Sequence, residues 1–162
     1  MGRIVRKLAV SALVGVLLPA LAWAQPAVDP AAVRAAALKF AGGVAWRADT
    51  VIAADFSCTG NVQQAILGVL PDEILVAIFR HGLELPPETL RFDAGDRNIL
   101  ASKLRVDDYS LTAEEIAGVS GATPAGYRPS TTCHGVRLSD DTSEAAHIYW
   151  DHDHGRFDSW AQ

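Results

Sequence analysis

The run Glu73-Ile74-Leu75-Val76-Ala77-Ile78-Phe79 constrains the fold more than any other stretch of the chain. Read as a strand, it puts Ile74, Val76 and Ile78 on one face and Leu75, Ala77 and Phe79 on the other. A strand that is apolar on both faces must be covered on both. The obvious cover for one face is a helix beginning at Asp29-Pro30. There Asp caps free N–H groups and Pro suits the first helical position. Val33, Ala36, Ala37 and Phe40 then recur at helical spacing on one side, and Gly42-Gly43 ends the helix. Its small residues suit close packing on a sheet.

The remaining elements read mainly as strands. Trp46–Ala54 and Ala65–Leu67 precede the central run. Thr89–Asp93 and Lys103–Asp107 alternate, with Leu90, Phe92, Leu104 and Val106 inward and their neighbours outward. Thr112 and Glu115 form a capping box for a short second helix, with Leu111 and Ile116 spaced as a hydrophobic staple. Thr131–Leu138 is a further strand that includes Cys133. Ala146–Trp150 and Arg156–Trp160 form a terminal hairpin across Asp151–Gly155, where Gly155 is suited to positive φ. The expected class is α+β: mainly antiparallel sheet, an N-terminal helix packed on it, one short second helix and one disulfide.

The first residues read as an export signal rather than as part of the fold. Arg3, Arg6 and Lys7 precede an apolar stretch from Leu8 to Leu21, and Ala22-Trp23-Ala24 supplies small residues for cleavage. The stretch is short for a membrane span and is interrupted by Pro19. The expectation is a cleaved signal peptide over residues 1–24 and one globular domain over 25–162, periplasmic or secreted, with no membrane span in the mature chain. Losing the three basic residues takes the formal net charge from −5 to −8. An acidic domain repels nucleic acid and anionic membranes, which leaves a basic partner surface or a neutral ligand.

Cys58 and Cys133 are the only cysteines, and an even count in an exported chain favours a disulfide. The alternative is two buried free thiols. A bridge would close a loop of about 75 residues, worth about 4 kcal/mol at most by the chain-entropy argument.

Asp55-Phe56-Ser57-Cys58-Thr59-Gly60-Asn61-Val62-Gln63, followed by Ala65-Ile66-Leu67, resembles the calcium loop of FG-GAP and VCBS-type repeats. In that family alternate carboxylates line the cation, because Ca²⁺ wants several hard oxygens. Here Asp55 alone keeps its carboxylate. Ser57, Thr59 and Gln63 stand where acids would be, and Cys58 replaces a glycine. The resemblance therefore implies a turn that keeps the shape without the metal, with Asp55 capping backbone N–H groups and Cys58 anchoring the turn to the strand of Cys133.

Two further groups bear on function. His147, Asp151, His152, Asp153 and His154 offer nitrogen and oxygen ligands for Zn²⁺, Cu²⁺ or Ni²⁺, with His152 and His154 in the hairpin loop; the plainer reading is a polar turn. On the hairpin, Ile148 and Trp150 share one face, His147 and Tyr149 the other. If the second face is open, His147 and Tyr149 with Asp151 and Asp153 suit recognition of a sugar or a basic protein surface. No G-x-S-x-G or other catalytic motif occurs, so an enzyme is not signalled, and no cofactor is expected. The chain reads as a non-enzymatic binding module for a basic protein, in the manner of an inhibitor, or for an envelope component. A metal-binding protein using the terminal His/Asp loop is the alternative.

Overall fold

The computed structural model describes residues 28–95, 97–140 and 143–161. Residues 1–24, expected from the sequence to be an export signal, lie outside these residues. In chain order the elements are α1 (Pro30–Phe40), β1 (Ala45–Ala54), β2 (Gln63–Val69), β3 (Glu73–Phe79), β4 (Glu88–Asp93), β5 (Lys103–Asp108), α2 (Ala113–Ser120), β6 (His134–Ser139), β7 (Ala146–Asp151) and β8 (Arg156–Ala161). The strands form two antiparallel four-stranded sheets, ordered β1-β2-β3-β4 and β5-β6-β7-β8. Among the described residues no helix is long and apolar enough to cross a membrane.

Both faces of β3 are covered, each by a different layer. Ile74, Val76 and Ile78 meet Leu104, Val136, Leu138, Ile148 and Trp150 of the second sheet in the main core. Leu75, Ala77 and Phe79 pack under α1, whose Val33, Ala36 and Ala37 are buried. Asp29 caps α1 by accepting from the Ala31 N–H at 2.9 Å, and Pro30 is its first residue. Trp46 lies across β2, its indole N–H donating to Ala41 O at 3.0 Å. Gly68 makes room for that ring: a Cβ there would sit 2.6 Å from Trp46 Cε3 and would also run into the Val44 side chain.

The two sheets are stitched at both edges. On the β1 side, the Arg47 guanidinium donates to Ser102 O at 2.9 Å and Leu100 O at 3.3 Å, fixing the turn that leads into β5. On the β4 side, Glu88 accepts from the Phe157 N–H of β8 at 2.6 Å, while Arg80 pairs with Glu88 and lies 4.1 Å over the Trp150 ring.

The β1–β2 turn is built by its own side chains. The two Asp55 oxygens accept from the N–H groups of Thr59 (3.0 Å) and Gly60 (2.7 Å), and Gln63 accepts from the Phe56 N–H and donates to the Ser57 hydroxyl. Cys58, at φ 58°, is the only described non-glycine residue with positive φ, and it is bonded to Cys133. Asp55 O also accepts from the His134 N–H at 2.9 Å. The bridge therefore joins the β1–β2 turn of the first sheet to the residue before β6 in the second.

Most sequence-based boundaries agree with these elements, with three differences. β2 is longer than Ala65–Leu67, because Gln63 and Gln64 pair with the end of β1. Cys133 precedes β6 instead of lying within it, since the bridge and the Ser130 hydroxyl, which accepts from its N–H, shape the backbone there. Val106 keeps the inward register of Leu104 but is 42% exposed, because β5 is an edge strand. Replacing both cysteines by serine should lower stability by up to about 4 kcal/mol, a fall in Tm on the order of 10 °C. Thermal unfolding of the oxidised protein and the double variant checks this; coincident melts would deny the bridge a stabilising role.

Candidate functional site

The outer face of the second sheet, opposite the core, carries the polar side chains. Cross-strand register sets them in rows: Arg105 on β5 lies opposite Arg137 on β6, Arg137 opposite His147 on β7, and His147 opposite Trp160 on β8. This row forms one end of a cleft of about 470 Å³. Asp107, Tyr109, Leu111, Ile116, Tyr127 and Tyr149 complete much of the lining.

His147 is held from three directions. Its backbone is paired near the start of β7, between Arg137 and Trp160. Its ring stacks on Trp160, centroids 4.1 Å apart and planes 6° from parallel. Its Nδ1 lies 2.6 Å from the Asp107 carboxylate. With that carboxylate accepting, Nδ1 carries the proton, and Nε2 is left buried with no hydrogen-bond partner. A buried orphan of this kind calls for an explanation. The pairing gives the Asp107 carboxylate its partner, and no ion pair joins it to Arg105 or Arg137. Arg105 and Arg137 are exposed, and neither has an ion-pair or hydrogen-bond partner among the described residues. Like charges directly opposite each other in a sheet are mutually destabilising unless something answers them.

The far wall of the cleft is a chain of three rings. Tyr109 and Tyr127 meet edge to face at 5.3 Å, Tyr127 and Tyr149 at 5.7 Å. Each hydroxyl is committed: Tyr109 accepts from the Trp150 N–H (2.8 Å), Tyr127 donates to Leu111 O (2.9 Å), and Tyr149 donates to Ala125 O (3.1 Å). These bonds fasten the α2–β6 connection across the sheet. Gly135 permits it, since a Cβ there would sit 2.6 Å from Tyr109 Cε1 and 2.6 Å from Ile148 O. Burial, as the main cause, raises all three phenols, Tyr127 and Tyr149 to about 12 and Tyr109 further.

Of the residues expected from sequence to bind a partner, His147 and Tyr149 come together in this cleft, though both are buried instead of displayed. Asp151 and Asp153 do not join them. The Asp151 carboxylate is fully buried and organises the hairpin loop, accepting from the N–H groups of Asp153 (2.9 Å) and His154 (3.1 Å) and meeting the His154 ring at 2.6 Å. Gly126 packs directly on it, leaving no room for a Cβ. Asp153 is exposed and pairs with Arg128 at 3.5 Å. His152 is half-buried, its N–H donating to Gly126 O at 3.0 Å. Burial, followed by the Arg128 charge, holds its imidazole below the ordinary value. His154 points at Asp151, and among the described residues no three His, Cys, Asp or Glu side chains gather at metal-binding distances.

The residues that sequence reasoning missed are Arg105, Arg137 and Asp107. Alternation along Lys103–Asp107 already puts Arg105 and Asp107 on the outward face. No local signal sets them beside His147, because that depends on strand register.

Two titrations follow. Burial alone would raise the Asp151 carboxyl, but hydrogen bonds from the His154 ring and from the His154 and Asp153 N–H groups outweigh it and hold it below its ordinary value. Its contribution is present above the ordinary carboxylate range and is lost as pH falls through that range to the lowered value. Asp151→Asn should lower Tm near neutrality, and the gap from the parent should narrow as pH falls through and below the ordinary carboxylate range; a gap independent of pH would remove the charge from the account. For the tyrosines the sign is opposite. The fold favours the neutral phenols, so stability is intact below their ordinary value of 10.0 and falls as pH rises toward about 12. Phenolate absorbance should appear late and together with loss of tertiary structure. Independent ionisation centred near the ordinary value would show the rings to be open to solvent. No protein-family model, curated protein or solved structure matches this chain.

Proposed function

We propose that the chain is an exported, non-enzymatic binding module and that its ligand site is the cleft on the outer face of the second sheet. The ligand favoured there is an acid. The observation that carries this reading is the adjacent pair Arg105 and Arg137, exposed and, among the described residues, without carboxylate partners. Two guanidiniums offer several N–H donors in planar forks, which match a carboxylate or phosphate better than a point charge does. Asp107 makes no ion pair with either; its contact is with His147 Nδ1. The chain's overall acidity favours a basic partner, but net charge acts at long range and is screened beyond about 8–10 Å in physiological salt. Contact is decided by the local pair. A disulfide that ties two sheets together supports the assignment to a periplasmic or secreted setting, where such bridges persist.

The test is ligand-dependent thermal stability with inorganic phosphate and with hexanoate. At ten times its Kd a ligand adds about 1.4 kcal/mol, a rise in Tm of several degrees for a domain of this size. The rise should saturate and should vanish in Arg105→Gln/Arg137→Gln, whose own melting stays near the parent's. Stabilisation by neither anion, or stabilisation that survives in the double variant, would overturn the acid reading. Salt-sensitive retention of a basic protein, with anions ineffective, would return the function to the partner suggested by net charge.

A further inference from the structure

We infer that the acid taken by this cleft is an organic carboxylate with an apolar body, its head on Arg105 and Arg137 and its body against Leu111, Ile116 and the tyrosine rings. This rests on the anion reading above and narrows it to a chemical class. The cleft has two unlike ends. The arginine row lies at one. At the other, α2 contributes Ile116, and the residue before its cap contributes Leu111. Tyr109, Tyr127 and Tyr149 line the space between; Tyr127 and Tyr149 have given their hydroxyl protons to backbone carbonyls, and the Tyr109 oxygen faces the Trp150 N–H, so ring carbon is the main surface they offer a ligand.

Leu111 is the informative residue. Its carbonyl is fixed by the Tyr127 hydroxyl at 2.9 Å, so the backbone is held at the rim. Ile116 is buried beneath, yet the Leu111 residue is 39% exposed and lines the cleft. A large aliphatic group is thus kept at the mouth of a polar site by a hydrogen bond that does not also cover it. The volume points the same way. About 470 Å³ far exceeds what phosphate or acetate would fill and falls within the range of roughly 300–1,000 Å³ usual for organic ligands. An inorganic anion would satisfy the guanidiniums and leave the apolar end wet.

The test is a homologous series of straight-chain carboxylates, acetate through octanoate, measured by calorimetric titration at about pH 8, above the ordinary histidine value. Each methylene that leaves water should raise affinity by up to about fourfold, until the apolar end is filled. Butyrate to hexanoate should therefore gain roughly tenfold. In Leu111→Ser the gain per methylene should shrink while the affinity for the shortest acids holds. In Arg105→Gln/Arg137→Gln all members should weaken together. Equal affinity along the series, with binding still dependent on the arginines, would overturn the apolar-body inference and leave the anion reading standing. No binding by any member, and none by inorganic phosphate, would remove both. Circular dichroism of Leu111→Ser, an exposed position, confirms that the comparison is between folded proteins.

Discussion

The fold depends on the need to bury both faces of β3. One apolar face can be satisfied by a single packed element, but two require a layer on each side. The chain meets that need with unlike partners, a small-residue helix on one side and a second sheet on the other. Because the helix is rich in alanine it approaches closely, and Gly68 lets Trp46 lie flat beneath it. Once the second sheet is committed by Val136, Leu138, Ile148 and Trp150 to covering β3, alternation directs His147, Tyr149, Arg137 and Asp107 to the opposite face. The cleft is in that sense the reverse side of the core.

That reverse face is finished by hydrogen bonds that close some groups and leave others open. The three tyrosine hydroxyls and Asp151 are each consumed in holding a loop in place. Asp107 is consumed by His147. What remains unanswered is the arginine pair and one imidazole nitrogen, at a single place on the sheet. The Asp55 turn is the opposite case, its polar groups answered at short range by its own side chains.

Much of the architecture was legible in the sequence, because it follows from local patterns. The cap at Asp29-Pro30, the capping box at Thr112 and Glu115, the two-sided run of β3 and the alternating faces of the hairpin all depend on neighbours within a few residues. The disulfide followed from counting cysteines, and the capping role of Asp55 from the shape of its turn. The site was legible only in part. His147 and Tyr149 drew notice through residue type, but their companions arrive from β5 and β6, ten or more residues away along the chain, through register that no local pattern encodes. Asp151 looked available because carboxylates in loops usually are. It is buried because Gly126, from a distant loop, lacks the Cβ that would have kept the two apart.

The position of the Cys58–Cys133 bridge has a kinetic side. Each sheet is a meander of consecutive strands, so pairing is between sequence neighbours, the longest connection being the one that carries α2 between β5 and β6. The slow step left over is the meeting of the two halves of the chain, and the bridge spans that junction, from the β1–β2 turn to the residue before β6. In an oxidised chain whose sheets have come apart, the two halves stay tethered close to their native point of contact. Re-docking then proceeds at the high effective concentration of a short tether instead of through a free search. The covalent link thus acts on the rate of reassembly as well as on the finished fold.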